Sequence, residues 1–311
     1  MRTLICGSLA YDTIMVFPDH FSRHILPEQV KVLSVSFQIG EMRREWGGCA
    51  GNIGYNLAGI GGTPVVMATI GDDGADYRER LDALGVGVDA VRHVAGSYTA
   101  QAFIITDLAD NQITAFHPGA MNFSHQNRVG DVADISLGII APDGKDGMQT
   151  HAAQFAEAEI PFIFDPGQGM PLFSGPELLA MIEQAGYVAV NDYEGQMLAE
   201  RTGLPLAEIA QRVKALVVTR GAEGSVIHTG GKMLSIPAAK PAAVLDPTGC
   251  GDAYRAGLLY GIAQGWDWER TGRLASVLGA IKIASRGGQN HTVNHTVVDA
   301  LHHATFGTRL W

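Results

Sequence analysis

The chain has 311 residues, 46% of them hydrophobic and 17% charged, a globular composition sized for two small domains or one large α/β domain. Its 22 Lys and Arg against 32 Asp and Glu give a formal charge of −10, which argues against the broad basic surface that nucleic acid or an acidic membrane requires. A local anion site made of backbone N–H groups stays open, and 39 glycines, about one residue in eight against a usual ~7%, point to many tight turns or close approaches of backbone to ligand.

The first expected element is a strand at 3–6. An alternating apolar and polar segment follows at 30–42 (VKVLSVSFQIGEM), then a helix at 52–60, a strand at 65–70 and a helix at 75–84. Residues 99–117 alternate again around a turn-rich 107–111, a hairpin signal. Beyond it come a strand at 135–140, a helix at 146–159, a strand at 162–164, a helix at 176–184 and a strand at 187–190. Helices at 194–201 and 206–213 lead to strands at 216–219 and 225–228. Strands that are apolar throughout and separated by helices indicate a mainly parallel sheet covered on both faces, a doubly wound α/β fold. The two alternating segments are expected to pair as a small β-lid, formed by about 13–46 and 98–120 of a single domain spanning 1–311; an antiparallel extension of the main sheet is the alternative.

Cys6, Cys49 and Cys250 form no CxxC pair and read as free thiols of a reducing cytosol. The N-terminal stretch carries Asp12 and no long apolar core, unlike a signal peptide, and no apolar run approaches ~18 residues. A soluble, cytoplasmic protein is expected. His291, His295, His302 and His303 cluster near the C-terminus without HExxH spacing and read as solvated or capping residues beside an amphipathic helix.

In open parallel sheets ligands bind beyond the carboxyl ends of the strands. Two segments there stand out. Residues 246–252, DPTGCGD, run through a small-residue turn into a helix, offering the N–H groups of Gly249, Cys250 and Gly251 to an anion. Asp252 either caps that helix or accepts a proton from an attacking hydroxyl, and the Gly-x-Gly before it favours the second role. Residues 47–52, GGCAGN, are a second such turn, where Gly47 and Gly48 open the backbone to a polar ligand and Asn52 can bridge two hydroxyls.

Together these segments resemble the paired signatures of the PfkB (ribokinase-like) kinase family, GG-x-x-x-N and D-x-x-G-x-G-D, in order and separation across essentially the whole chain. The resemblance implies a ribokinase-like fold, with Asp252 as general base and Gly249, Cys250 and Gly251 as the anion hole for a transferred γ-phosphoryl. It also implies that Asn191 and Glu194 (N-x-x-E) position Mg²⁺ and its waters, and that Thr219, Gly221 and Gly224 hold nucleotide phosphate and ribose. Residues 285–290 (SRGGQN), with Gly288 and Asn290, would hold adenine, and K⁺ would sit near Asp246 and Thr248. Asp12, Gly47, Gly48 and Asn52 would hold the acceptor's hydroxyls. The family usually has Ala where Cys250 stands, and a thiol there suggests sensitivity to oxidants. A Walker P-loop is absent, as is GxGxxG after the first strand.

Phe37, Phe103, Phe116 and Met121 in the lid could stack on a base, with Gln101 beside them as a further substrate contact. The stretches EWGGCAGNIGYNLAGIGG and FDPGQGMPLF look more like adenosine-kinase-type members than ribokinases. The reading is therefore ATP-dependent phosphorylation of a nucleoside 5′-hydroxyl, adenosine first, with inosine, guanosine or cytidine open. The alternatives are a ribokinase- or fructokinase-like sugar kinase and a catalytically silent relative; Arg43 and Arg44 keep a sugar phosphate in play. Lid sheets in this family often pair between subunits, which implies a homodimer.

Overall fold

The computed structural model describes residues 2–25, 34–109 and 111–311. Its larger sheet has nine strands: β1 (Arg2–Cys6), β4 (Pro64–Ile70), β5 (Gly87–His93), β8 (Ile135–Ile140), β9 (Phe162–Phe164), β10 (Tyr187–Asn191), β11 (Ala215–Thr219), β12 (Ser225–Thr229) and β13 (Lys232–Ile236). Their order is β13-β12-β11-β10-β9-β8-β1-β4-β5; only the pairings of β12 with β11 and β13 are antiparallel. Four further strands form a separate sheet in the order β3-β2-β6-β7: β2 (Ala10–Val16), β3 (Glu41–Gly47), β6 (Ala100–Thr106) and β7 (Gln112–His117).

Side-chain alternation divides the core between the faces of the large sheet. In β1, Ile5 packs into a cluster with α1 (Cys49–Gly59), α2 (Ala75–Ala83), α7 (Cys250–Ala263), α8 (Trp268–Ile283) and α9 (His295–Phe306). Leu4 and Cys6 face the other way, toward α3 (Lys145–Glu157), α4 (Gly175–Gln184), α5 (Asp192–Thr202) and α6 (Leu206–Arg212). Both faces are covered, so the inner strands are apolar throughout and stand out in the sequence. The fold is ribokinase-like. Among the described residues no helix is long and apolar enough to cross a membrane.

The expected elements fall within a few residues of the observed ones, with four exceptions. β5 and β13 are edge strands, interrupted by Asp89 and Arg92 in one and by Lys232 and Ser235 in the other, so neither reads as a buried run. α8 is buried over most of its circumference and lacks a polar stripe to mark it. The small sheet is assembled differently from the expectation. Residues 34–40 form no strand, 30–33 lie outside the described residues, and the strand comes later, at Glu41–Gly47. It does not pair with the 99–117 hairpin; β2 lies between, antiparallel to β3 and parallel to β6. The hairpin itself forms, with β6 and β7 paired from Gln101–His117 to Thr106–Gln112. Asp107 organises its turn by accepting from the N–H groups of Ala109 and Asn111 and from the Asn111 side chain.

Candidate active site

The two glycine-rich turns meet at the carboxyl end of the large sheet. Gly48 caps α1 with φ of 83°, and a Cβ there would strike the Ser8 carbonyl at 2.5 Å, so only glycine fits. Gly47 is excluded from larger residues for another reason: its Cβ would lie 2.5 Å from Oδ2 of Asp12. Asp12 therefore presses against this turn, and burial, with the charges of Asp246 and Glu45, raises its carboxyl to about 6. Asn52, one turn into α1, is 3% exposed and donates from Nδ2 to Oδ2 of Asp252 at 2.8 Å. Its Oδ1 accepts from Gln289 Nε2, which also donates to Tyr77, whose hydroxyl donates to the Gly47 carbonyl. The residue expected to bridge substrate hydroxyls is thus committed in part to Asp252.

The second turn enters α7 through Gly249, in the left-handed region with φ of 78°. The N–H of Cys250 is not open to an anion, because it donates to the Pro247 carbonyl at 3.1 Å. Among the described residues the N–H groups of Gly249, Gly251 and Asp252 have no backbone acceptor, so the helix start offers these in place of the expected set. Burial raises the Asp252 carboxyl to about 6; the Asn52 hydrogen bond lowers it, the Asp165 charge raises it, and Arg255 and the Cys49 thiol lower it. Such a carboxylate is largely ionised at neutral pH yet basic enough to take a proton. Burial also pushes the Cys250 thiol up to about 11. That argues against the expected oxidant sensitivity, since the thiolate is the reactive form.

Behind Asp252 lies a pair the motifs did not reveal. Arg255 donates from Nε and Nη2 to the two carboxylate oxygens of Asp165 at 3.0 and 3.3 Å, both residues being almost fully buried. Its Nη1 faces Gly251, 3.9 Å from where a Cβ would stand. Asp165 follows β9 and Arg255 lies one turn past Asp252, so a buried ion pair sits behind the second turn.

The N-x-x-E segment folds as a capping box. Asn191 Oδ1 accepts from the Glu194 N–H at 2.7 Å, and Glu194 Oε2 accepts from the Asn191 N–H at 2.8 Å. Burial and the nearby Asp165 raise the Glu194 carboxyl. Thr219 ends β11, and Gly221 and Gly224 both take positive φ in the turn that follows. Gly288 packs against Asn52, and Asn290 donates to Glu45 Oε2 at 2.6 Å, next to Asp12 across β3 and β2. Asp246 accepts from the N–H groups of Thr248 and Gly287.

Register sorts the expected base contacts. Asp12, Glu45, Ala102 and Phe116 are cross-strand neighbours and share one face of the small sheet. Gln101 and Phe103 point to the opposite face, and Gln101 donates to Asp73 at 2.8 Å. Phe37 is also elsewhere, packed on Phe17 and Phe21, and Phe17 lies about 16 Å along the chain direction from Asp12 at ~3.3 Å per residue. Met121 sits in the short helical segment Gly119–Gln126, off the sheet. Of Phe37, Phe103 and Phe116, Phe116 alone shares the face of Asp12. Of the C-terminal histidines, His291 and His302 are buried and not solvated as expected, His291 meeting Asn56 and His302 the Thr308 carbonyl, while His295 meets the Ile60 carbonyl and His303 is exposed.

The sequence profile of the pfkB family carbohydrate kinases matches residues 9–295. A nucleoside kinase of Burkholderia thailandensis, solved in complex with inosine, is 51% identical over 99% of both chains with a TM-score of 0.90; the same enzyme has also been solved with ADP-inosine. A nucleoside kinase of Methanocaldococcus jannaschii is 30% identical over 260 residues, 83% of this chain and 85% of its own length. With the profile covering most of the chain and both glycine turns converging on Asp252, the chain belongs to the pfkB family of carbohydrate kinases, phosphotransferases that act on a hydroxyl group.

Proposed function

We propose that the protein is an ATP-dependent nucleoside kinase that transfers the γ-phosphoryl of ATP to a nucleoside 5′-hydroxyl. The observation that carries this reading is the buried Asp252 carboxylate, held by Asn52 at a helix start where, among the described residues, the N–H groups of Gly249, Gly251 and Asp252 have no backbone acceptor. In the proposed reaction Asp252 takes the proton of the attacking hydroxyl, while Gly249, Gly251 and the Asp252 N–H donate to the oxygens of the phosphoryl in flight. Asp12, Gly47 and Gly48 bind the ribose hydroxyls, and Asn52 serves both ribose and base. The complexes of the Burkholderia thailandensis enzyme support a nucleoside over a free sugar, with inosine and adenosine the first acceptors to test.

Mg²⁺ would be carried largely on the nucleotide phosphates. Glu194 keeps Oε1 outside its capping box and would meet the ion's waters there; the ion would neutralise phosphate charge. Thr219, Gly221 and Gly224 line the nucleotide side.

The small sheet closes over the acceptor as a lid and excludes water. Its other face exposes Met42, Phe103 and Ile113 (73%, 40% and 39%), an apolar strip suited to a second copy in a homodimer. Incubation with MgATP and inosine or adenosine, followed by mass and ³¹P spectra of the product, tests the reading. A nucleoside 5′-monophosphate is expected; phosphorylation of ribose or fructose alone would replace the substrate assignment.

A further inference from the structure

Lys282 lies in the last turn of α8 and has no exposed surface. A lysine is almost never buried so fully unless its charge is matched. Its Nζ donates to the backbone carbonyls of Asp246 at 2.9 Å and Ser285 at 3.0 Å. A simple C-terminal capping lysine reaches the last carbonyls of its own helix; this one also crosses to a segment 36 residues away, the entrance to the anion turn.

The surroundings are those of a cation site. Two carbonyl oxygens converge from separate loops, and the Asp246 carboxylate bridges the same loops by accepting from Thr248 at 2.9 Å and Gly287 at 2.8 Å. Although burial opposes it, that carboxyl is held below its ordinary value by these N–H groups and by Lys282. Carbonyl and carboxylate oxygens are the ligands a dehydrated hard cation takes. The place K⁺ was expected to take, near Asp246 and Thr248, therefore already holds a positive charge on a side chain.

We propose that the Lys282 ammonium is the resident cation of this site: it ties residues 246–252 to residues 285–290, fixes the anion turn and makes the enzyme independent of K⁺. The kinase reading underlies only the turnover measurement; a thermal-shift measurement on the same samples needs no substrate.

The test compares wild type, Lys282→Ala and Lys282→Met with K⁺, NH₄⁺, Na⁺ or choline as the only monovalent cation. Wild-type turnover and Tm are expected to change little among the salts. Lys282→Ala opens space for an ion; in choline its turnover should fall about tenfold or more, the scale of losing hydrogen bonds from a charged group. K⁺ or NH₄⁺ should restore turnover and raise its Tm by mass action, whereas Lys282→Met, with its space filled by an apolar chain, should not respond. Strong K⁺ activation of the wild type, or a folded Lys282→Ala indifferent to every cation in both measurements, would overturn the proposal. If Lys282→Ala does not fold in any salt, the wild-type comparison decides alone: indifference to K⁺ supports the proposal, activation overturns it.

Discussion

Asn52 and Asp252 stand 200 residues apart in sequence, and their side chains meet at 2.8 Å, Nδ2 donating to Oδ2. One side chain from each glycine-rich turn thus closes the two halves of the site on each other. A hydrogen bond to the ionised carboxylate favours the charged form. Replacing Asn52 by Leu removes that help, so the acid limb of kcat against pH should shift upward from the wild-type value. An unchanged limb would show that the contact does not tune Asp252.

The wild-type profile itself follows from the raised carboxyl. With Asp252 at about 6, the proposed base is available above that pH and is lost by protonation as pH falls through it. Initial rates between pH 5 and 8 should show a single-proton acid limb near 6.

Stability runs the other way. Asp12 and Asp252 are raised from 3.8 to about 6 in the folded state, so the folded protein binds more protons between those values. The stability this contributes is complete below about 4 and is lost as pH rises through 6. Asp252→Asn should therefore gain a few degrees in Tm over wild type at pH 8 and lose that advantage toward pH 4. Thermal melts across this range check the sign.

The buried Arg255–Asp165 pair gives a fourth expectation. Arg255→Met leaves the Asp165 carboxylate buried alone, at a cost of about 3–5 kcal/mol. Changing both, with Asp165→Leu added, removes the stranded charge and should recover most of that loss. Denaturant unfolding of the single and double variants measures it; equal destabilisation by both would show that the charges are not coupled.

On the outer face of the small sheet, Phe103→Asp places a charge in the exposed apolar strip, on the face opposite Asp12. Light scattering should show dimer becoming monomer, while a wild type that is already monomeric would remove the homodimer from the proposal.

What could be read from sequence was what is locally encoded. Gly47 and Gly48 are marked by close approach and positive φ, Gly249 by a left-handed helix start, and the inner strands by burial on both faces. Contacts between distant segments left no such mark. The sequence contains Arg255 in AYRAG and Asp165 in FDPG, but nothing local says that they pair across 90 residues. The burial of Lys282 likewise depends on the chain at Asp246. Phe103 and Phe116 looked equivalent because the face each occupies is decided by register. β2 and β6 are parallel, so no tight turn between them announces that register.

The most direct test measures ADP release from MgATP with inosine, adenosine, guanosine, cytidine, ribose, fructose and fructose phosphates, in wild type and Asp252→Asn. Nucleoside-dependent turnover that falls by at least about a hundredfold in the variant, with KM for the nucleoside little changed, is the predicted result. Undiminished turnover in Asp252→Asn would contradict the assignment of the base. Turnover with sugars alone would contradict the nucleoside, and nucleoside binding without turnover would make the protein a silent relative.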